Sequence, residues 1–230
     1  HDLFLIEDAA HAHGSRLGKE MAGNLADAGC FSFYATKVLT SGEGGIVTTN
    51  NQSLYNSIMS LRNHGKKQES SLYNKVSNNY RMPEISCLLG LHQIKILNEI
   101  INARHKIAFK YCTNLNDVDG LTFLDDFIMN NDCSYWRFPI YINDTIDRFD
   151  LQTKMMENYK VRITWMYEPL CHMQPVFKEL ETNTNQLIIA EKCIKNLVCL
   201  PCYPGLSEED IERVCSGLKI ELNKQLENRF

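Results

Sequence analysis

The run Leu3–Ile6, wholly apolar and closed abruptly by Glu7-Asp8, constrains the fold more than any other feature of the chain. A strand with one wet face alternates apolar and polar residues, and this run does not. It reads as a short strand buried on both faces, the kind found in parallel sheets. Ala28–Phe33 reads as a second strand, Gly42–Gly45 as a turn, and Ile46–Thr49 as a third strand. A helix is expected over Asn51–Arg62, with Asn50 or Asn51 as its N-cap.

The polar stretch Asn63–Asn79 has no period and reads as a long loop, a class of segment that often carries function. Pro83 then opens a helix at a favourable position. Ile85, Leu88, Leu89, His92, Ile96, Leu97, Ile100 and Ile101 form its apolar stripe, which continues to Ile107 and Tyr111. A helix of about 30 residues exceeds the usual globular range and suits a spine between two domains. After Gly120 the texture changes. Strands are expected at Trp136–Ile142, Val161–Thr164 and Val198–Leu200, and helices at Arg148–Tyr159 and Gln186–Lys195. A final helix starts at Ser207, with a capping-box pattern to Asp210. The class is α/β, with domains 1–103 and 104–230.

A length of 230 residues allows one large domain or two small ones, and 44% hydrophobic with 23% charged residues is a globular composition. The net charge of −4 offers no basic surplus for nucleic acid or an anionic membrane. No apolar run reaches the length of a membrane span, and no signal peptide is expected from the residues given. The nine cysteines are odd in number and irregularly spaced, as Cys30 and Cys87 illustrate, which fits a reduced, intracellular, cytoplasmic protein. The chain opens at His1 and passes at once into a strand, so it reads as the continuation of a longer polypeptide.

Lys37 sits between the second strand and a glycine-rich turn, in "GCFSFYATKVLTSGEGG". An amine is a nucleophile only when neutral, and a partly buried turn can lower its pKa by desolvation. The plainer alternative is a lysine that snorkels to solvent. Ser32 precedes it and Gly42, Gly44 and Gly45 follow, a set of hydroxyl and backbone N–H groups that could hold a phosphate or simply make a turn. Asp8 ends a strand, where a carboxylate either meets a cation or caps the turn in "DAAHA". His11 and His13 lack further zinc ligands nearby. Cys199 and Cys202 form a C-x-x-C, but no helix follows at once as a thioredoxin-type redox motif requires.

"EDAAHAHG", "GCFSFYATK", "GEGGIVTTN", "LRNHG" and "NNYRMPE" occur in that order, and "YEPLCHMQPVF" and "CLPCYPGLSEEDIERV" follow. This series strongly resembles the DegT/StrS family of nucleotide-sugar aminotransferases that use pyridoxal 5'-phosphate (PLP). The resemblance implies a partial PLP fold type I large domain, a mostly parallel sheet with flanking helices, followed by a small α+β domain. It implies that Lys37 is the Schiff-base lysine and proton shuttle, and that Asp8 pairs with the pyridine nitrogen. His11 then lies near the 3-hydroxyl, Ser32 holds the phosphate, and Asn79 reaches the phosphate of the neighbouring subunit's cofactor. The expected partners are a keto-sugar nucleotide and an amino-acid donor, glutamate, with a homodimer sharing its active sites. No metal, nucleic acid or membrane is implied.

Ser77 stands where the family usually has glycine, "PLCHMQP" is one residue longer than the family's P-L-H-x-Q-P, and a family N-terminal region is missing. Two other readings follow from the resemblance: a sugar dehydratase, whose family members replace the lysine with histidine, and a truncated, non-catalytic remnant or regulatory partner.

Overall fold

The structure, a computed structural model, describes residues 1–67, 70–123, 132–177 and 187–227. The chain divides into two compact units. One comprises His1–Asn102 with a short later stretch ending at Trp136, and the other holds the remainder.

The first unit contains β1 (Ile6–Asp8), the small pair β2 (Arg16–Leu17) and β3 (Glu20–Met21), then β4 (Ala28–Ser32) and β5 (Gly45–Thr48). β1 runs parallel to β4 with Ile6 opposite Ala28, Glu7 opposite Gly29 and Asp8 opposite Cys30. β5 runs antiparallel to β4 with Gly29 opposite Thr48 and Ser32 opposite Gly45. The strand order is β1-β4-β5, so β1 is an edge among the described strands. Leu3, Phe4, Leu5 and Ile6 are therefore not buried as their composition suggested; Leu3 is 77% exposed. Their pattern registers a face suited to burial, and no described element covers it.

Helix α1 (Gln52–Leu61) follows, and the Asn51 side chain accepts from the Leu54 N–H, which settles the N-cap. The expected long helix is two: α2 (Glu84–Lys95) and α3 (Leu97–Leu115). Ile96, at φ −105° and ψ 12°, leaves helical geometry, and its N–H turns back to Gln93 rather than one residue further. The α2 part of the apolar stripe is exposed as well, with Ile85 at 72% and Leu88 at 67%. Where α3 begins, the stripe does find a core: Ile100 is buried with Phe33, Val38 and Leu39, and Phe31, Ile96, Leu97, Ile101 and Trp136 pack around them.

The second unit contains β6 (Leu121–Thr122), β7 (Phe138–Ile142), α4 (Arg148–Tyr159), α5 (Ile188–Asn196), β8 (Leu197–Leu200) and α6 (Glu208–Glu227), with the later part of α3. Its sheet has the order β6-β7-β8, all antiparallel. The strand expected at Val161–Thr164 is reduced to one bridge, Thr164 to Cys199. Gln186, expected to open a helix, lies outside the described residues. Leu151 and Met155 of α4 meet Leu218 and Leu222 of α6 in a buried core. Gly217 permits that approach, since a Cβ there would lie 2.9 Å from the Tyr159 ring. The α6 capping box is formed in both directions: Asp210 N–H donates to Ser207 Oγ, and Ser207 N–H donates to Asp210 Oδ2. Among the described residues, no helix is long and apolar enough to cross a membrane.

Candidate functional site

The carboxyl ends of parallel strands are where α/β sheets bind ligands, because the chain must leave the sheet there in loops. Asp8 is the last residue of β1, and Ser32 ends β4 beside it. Strand alternation places Cys30 and Ser32 on one face of β4, and Asp8 is paired opposite Cys30. Asp8 is exposed, and its Oδ1 accepts from the Ala10 N–H at 3.2 Å, so it does cap the turn. Its Oδ2 has no hydrogen-bond partner among the described residues.

After β4 the chain makes a tight turn in which the Lys37 N–H donates to the Tyr34 carbonyl at 3.0 Å. Val38 and Leu39 then plunge into the core at 4% and 2% exposure. The loop closes where Phe33 donates to Gly44 and Ser41 donates to Phe33, both at 2.9 Å. Lys37 is thus fixed between a strand end and two buried residues. Its side chain is half-buried, and desolvation lowers the pKa of its amine, with the charge of Asp8 acting in the opposite direction. Lowering favours the neutral, nucleophilic amine.

Trp136 was not singled out from the sequence as a site residue. It donates from Nε1 to the Thr36 carbonyl, and its ring lies 4.9 Å from Lys37 Nζ. His11 stacks flat on the same ring system, with centroids 3.6 Å apart and planes 7° apart. No local signal could have joined residues a hundred positions apart; only the tertiary fold does so.

His13 was weighed from the sequence only as a metal ligand, and its burial beside this group was missed. Its ring is 3% exposed, edge-on to Phe33 at 5.1 Å and tilted to Phe31 at 5.2 Å. Desolvation, then the nearby charges of Lys37 and His11, push its pKa down to about 4, so it is neutral at neutral pH. The Ser32 backbone lies near enough to oppose this, but neither ring nitrogen has a hydrogen-bond partner among the described residues. His11 and His13 do not gather a metal site: no cluster of three or more His, Cys, Asp or Glu able to hold an ion occurs among the described residues.

The hydroxyl of Ser32 accepts only a long contact from the Tyr34 N–H, 3.4 Å. Gly42 and Gly44 turn at φ 82° and 149°, and a Cβ at Gly44 would lie 2.7 Å from Met82 Cε. Asn79 is not brought to this group. It is exposed, and its Oδ1 accepts from the N–H and Nε of Arg81, both at 3.1 Å. Elsewhere, burial raises the Cys199 thiol to about 11, so at neutral pH it stays protonated and poor as a redox nucleophile.

The sequence model of the DegT/DnrJ/EryC1/StrS aminotransferase family matches residues 1–219. The chain belongs to that family. Spore coat polysaccharide biosynthesis protein SpsC of Bacillus subtilis is 30% identical over 95% of this chain and 60% of its own length. GDP-perosamine synthase of Caulobacter vibrioides is 29% identical over 95% of this chain and 58% of its own. Among solved structures, Helicobacter pylori PseC, described as an aminotransferase of pseudoaminic acid biosynthesis, matches with a TM-score of 0.83 and 26% identity, over 98% of this chain and 60% of that one. The chain therefore spans about 60% of the length of these family members. The fold is the α/β fold of the family's aminotransferases.

Pyridoxal phosphate is the cofactor of the DegT/DnrJ/EryC1/StrS aminotransferases. The donor set fits it. An amine of lowered pKa, a carboxylate with a free oxygen and a hydroxyl stand together at one sheet edge. These match the needs of an aldehyde carbon, a protonated ring nitrogen and a phosphate.

Proposed function

We propose that this chain carries the lysine-bearing part of a PLP-dependent aminotransferase that acts on a keto-sugar nucleotide, with glutamate as amino donor, in amino-sugar or cell-surface polysaccharide biosynthesis. One observation carries the reading. An amine whose pKa is lowered by desolvation lies in the turn after β4, within reach of the charge of Asp8, which ends the adjacent parallel strand β1. Relatives named as GDP-perosamine synthases and as a UDP-4-amino-4,6-dideoxy-N-acetyl-beta-L-altrosamine transaminase support the substrate class.

When bound, PLP supplies an electrophilic carbonyl and an electron-withdrawing ring. Lys37 Nζ provides the nucleophile and then moves a proton to and from the sugar carbon. Asp8 would keep the ring nitrogen protonated, His11 would lie near the 3-hydroxyl, and Ser32 would hold the phosphate. Asn79 is assigned to the phosphate of a second subunit. Within this chain Asn79 is exposed and bonded to Arg81, so the role assigned to it requires a homodimer with shared sites.

Borohydride reduction of the PLP-treated protein, followed by peptide mapping, tests the assignment. A pyridoxyl group is expected on Lys37 and should be absent from Lys37→Ala. Labelling at Lys19 or Lys66 instead would remove Lys37 from the centre of the site.

A further inference from the structure

Trp136 reaches Lys37 on a stretch of chain that is clasped at several points. The Arg16 N–H donates to the Asp132 carbonyl at 2.7 Å. Ser134 is buried; its N–H donates to Ser15 Oγ at 3.0 Å and its hydroxyl donates to the His11 carbonyl at 3.3 Å. Tyr135 is buried too, and it turns at φ 46°, a left-handed conformation that a bulky side chain seldom adopts. Such a backbone persists only where its surroundings hold it, and strain of this kind gathers at functional sites. The next residue is Trp136, whose Nε1 donates to the Thr36 carbonyl, one residue before the amine.

The indole is therefore fixed independently of Lys37. Thr36 anchors its edge, and His11 lies flat against it, with centroids 3.6 Å apart and planes 7° apart. Lys37 Nζ stands over the ring, 4.9 Å from its centroid. An aromatic face attracts a cation through its quadrupole and exerts no comparable pull on a neutral amine, and this distance lies within the range of that attraction. The other charged or titratable groups near the amine are Asp8, whose charge favours the ammonium, and the rings of His11 and His13.

We propose that Trp136 is a positioning residue that ties the place of the Lys37 side chain to its charge: the ammonium rests against the indole, and the neutral amine is released from it. The contact rests on geometry alone, while its service to catalysis rests on the aminotransferase reading above. In that reading Lys37 alternates between the two forms as it takes up and gives away a proton. The ring draws the side chain back after each protonation and lets it go after each loss.

Reductive methylation of the 230-residue chain with isotope-labelled formaldehyde tests the proposal without cofactor. Each lysine gains a methyl signal whose carbon shift reports charge and whose proton shift reports a nearby ring. The Lys37 signal is the one missing from Lys37→Arg. Over a titration from about pH 7 to about pH 12, its protons should sit upfield while the amine is charged and return to the ordinary lysine position as it is neutralised. His13, with a pKa of about 4, stays neutral throughout that range. Trp136→Leu should abolish the upfield displacement. Ring-fluorinated tryptophan, introduced at Trp136 alone, keeps the packing and weakens the quadrupole. An attraction to the charged form raises a pKa, so weakening it should lower that of Lys37, by roughly half a unit.

Three results would overturn the proposal. No upfield displacement at any pH means that the amine does not rest on the ring. A displacement that persists after neutralisation means that position is not tied to charge. A Lys37 pKa indifferent to fluorination means that the indole only packs there. The borohydride label separates this proposal from the reading beneath it. Label on Lys37 with no dependence on the ring sinks the positioning role alone. Label elsewhere, with the ring dependence intact, sinks the aminotransferase reading and with it the service to proton transfer.

Discussion

Lowering the pH from about 7.5 to about 5 should destabilise the unit that carries the site by about 2 kcal/mol through His13 alone. The imidazole titrates at 6.5 when free and at about 4 in the folded chain. A base with a depressed folded pKa is protonated first in the unfolded state. At pH 5 most unfolded chains carry a proton on His13 and most folded chains do not, so acid favours unfolding. The loss begins near 6.5 and is complete below about 4, where it reaches about 3 kcal/mol. The cause is burial at 3% exposure between Phe31 and Phe33, with Lys37 and His11 close by. His13→Phe removes the titration while keeping a ring. Any overpacking penalty it adds is constant with pH. Urea unfolding of both proteins at the two pH values isolates the effect as a difference of differences, free of the other histidines. A direct NMR titration should place the His13 ring near 4. Equal pH dependence in the two proteins, or a His13 ring titrating near 6.5, would refute the reasoning.

Gly65→Ala should destabilise by more than about 1 kcal/mol, since φ is positive and the Lys75 carbonyl blocks a Cβ; thermal unfolding measures it. Ser207→Ala should cost about 1 kcal/mol through the α6 N-cap, and Ser207→Asp should recover most of it, as read in urea midpoints. Arg148→Leu should destabilise the second unit by roughly 2–3 kcal/mol. It strands Glu168 and removes a buried guanidinium that also donates to the Ile194 carbonyl. Arg148→Lys should recover only a part, because an ammonium lacks the fork that spans both partners.

Local pattern made most of the elements legible. Asn51, Asp147 and Ser207 each cap a helix that the sequence places within a residue or two. Those signals are short-range: a side-chain oxygen, a free N–H, and an apolar period beginning just beyond. The break at Ile96 was not legible, because no glycine or proline marks it. The exposed stripe on α2 and the exposed run Leu3–Ile6 show the other limit. Periodicity records that a face is apolar, and it says nothing about what covers the face. At the site, the strand ends at Asp8 and Ser32 and the turn that holds Lys37 were legible within one continuous stretch, while the roles assigned to them came from the family resemblance. Trp136 and the burial of His13 depend on packing between distant segments, which no local window contains.

The dipeptide Glu7-Asp8 shows how the same chemistry serves two ends. Strand alternation sends the two carboxylates to opposite faces of β1. Glu7 is opposite Gly29, which is opposite Thr48, and the three form a row across the sheet. On that row the Glu7 carboxylate accepts from the N–H groups of Gly23, Leu25 and Ala26, while the Thr48 hydroxyl donates to the Gly23 carbonyl at 2.6 Å. Glycine at 29 is required there, because a Cβ would lie 2.4 Å from Gly23 Cα. Glu7 is thus spent on clasping the 23–26 loop against the sheet, and that clasp holds an edge strand whose ladder to β4 is short. Asp8, on the other face, keeps one oxygen unengaged and stands close enough to Lys37 for its charge to act on the amine. Glu7→Gln should therefore leave Asp8 chemically intact but loosen its strand, while Asp8→Asn should leave the strand in place and remove the charge. The two acids are adjacent in sequence and alike in type. The register of β1 against β4 alone makes one structural and the other available to a ligand.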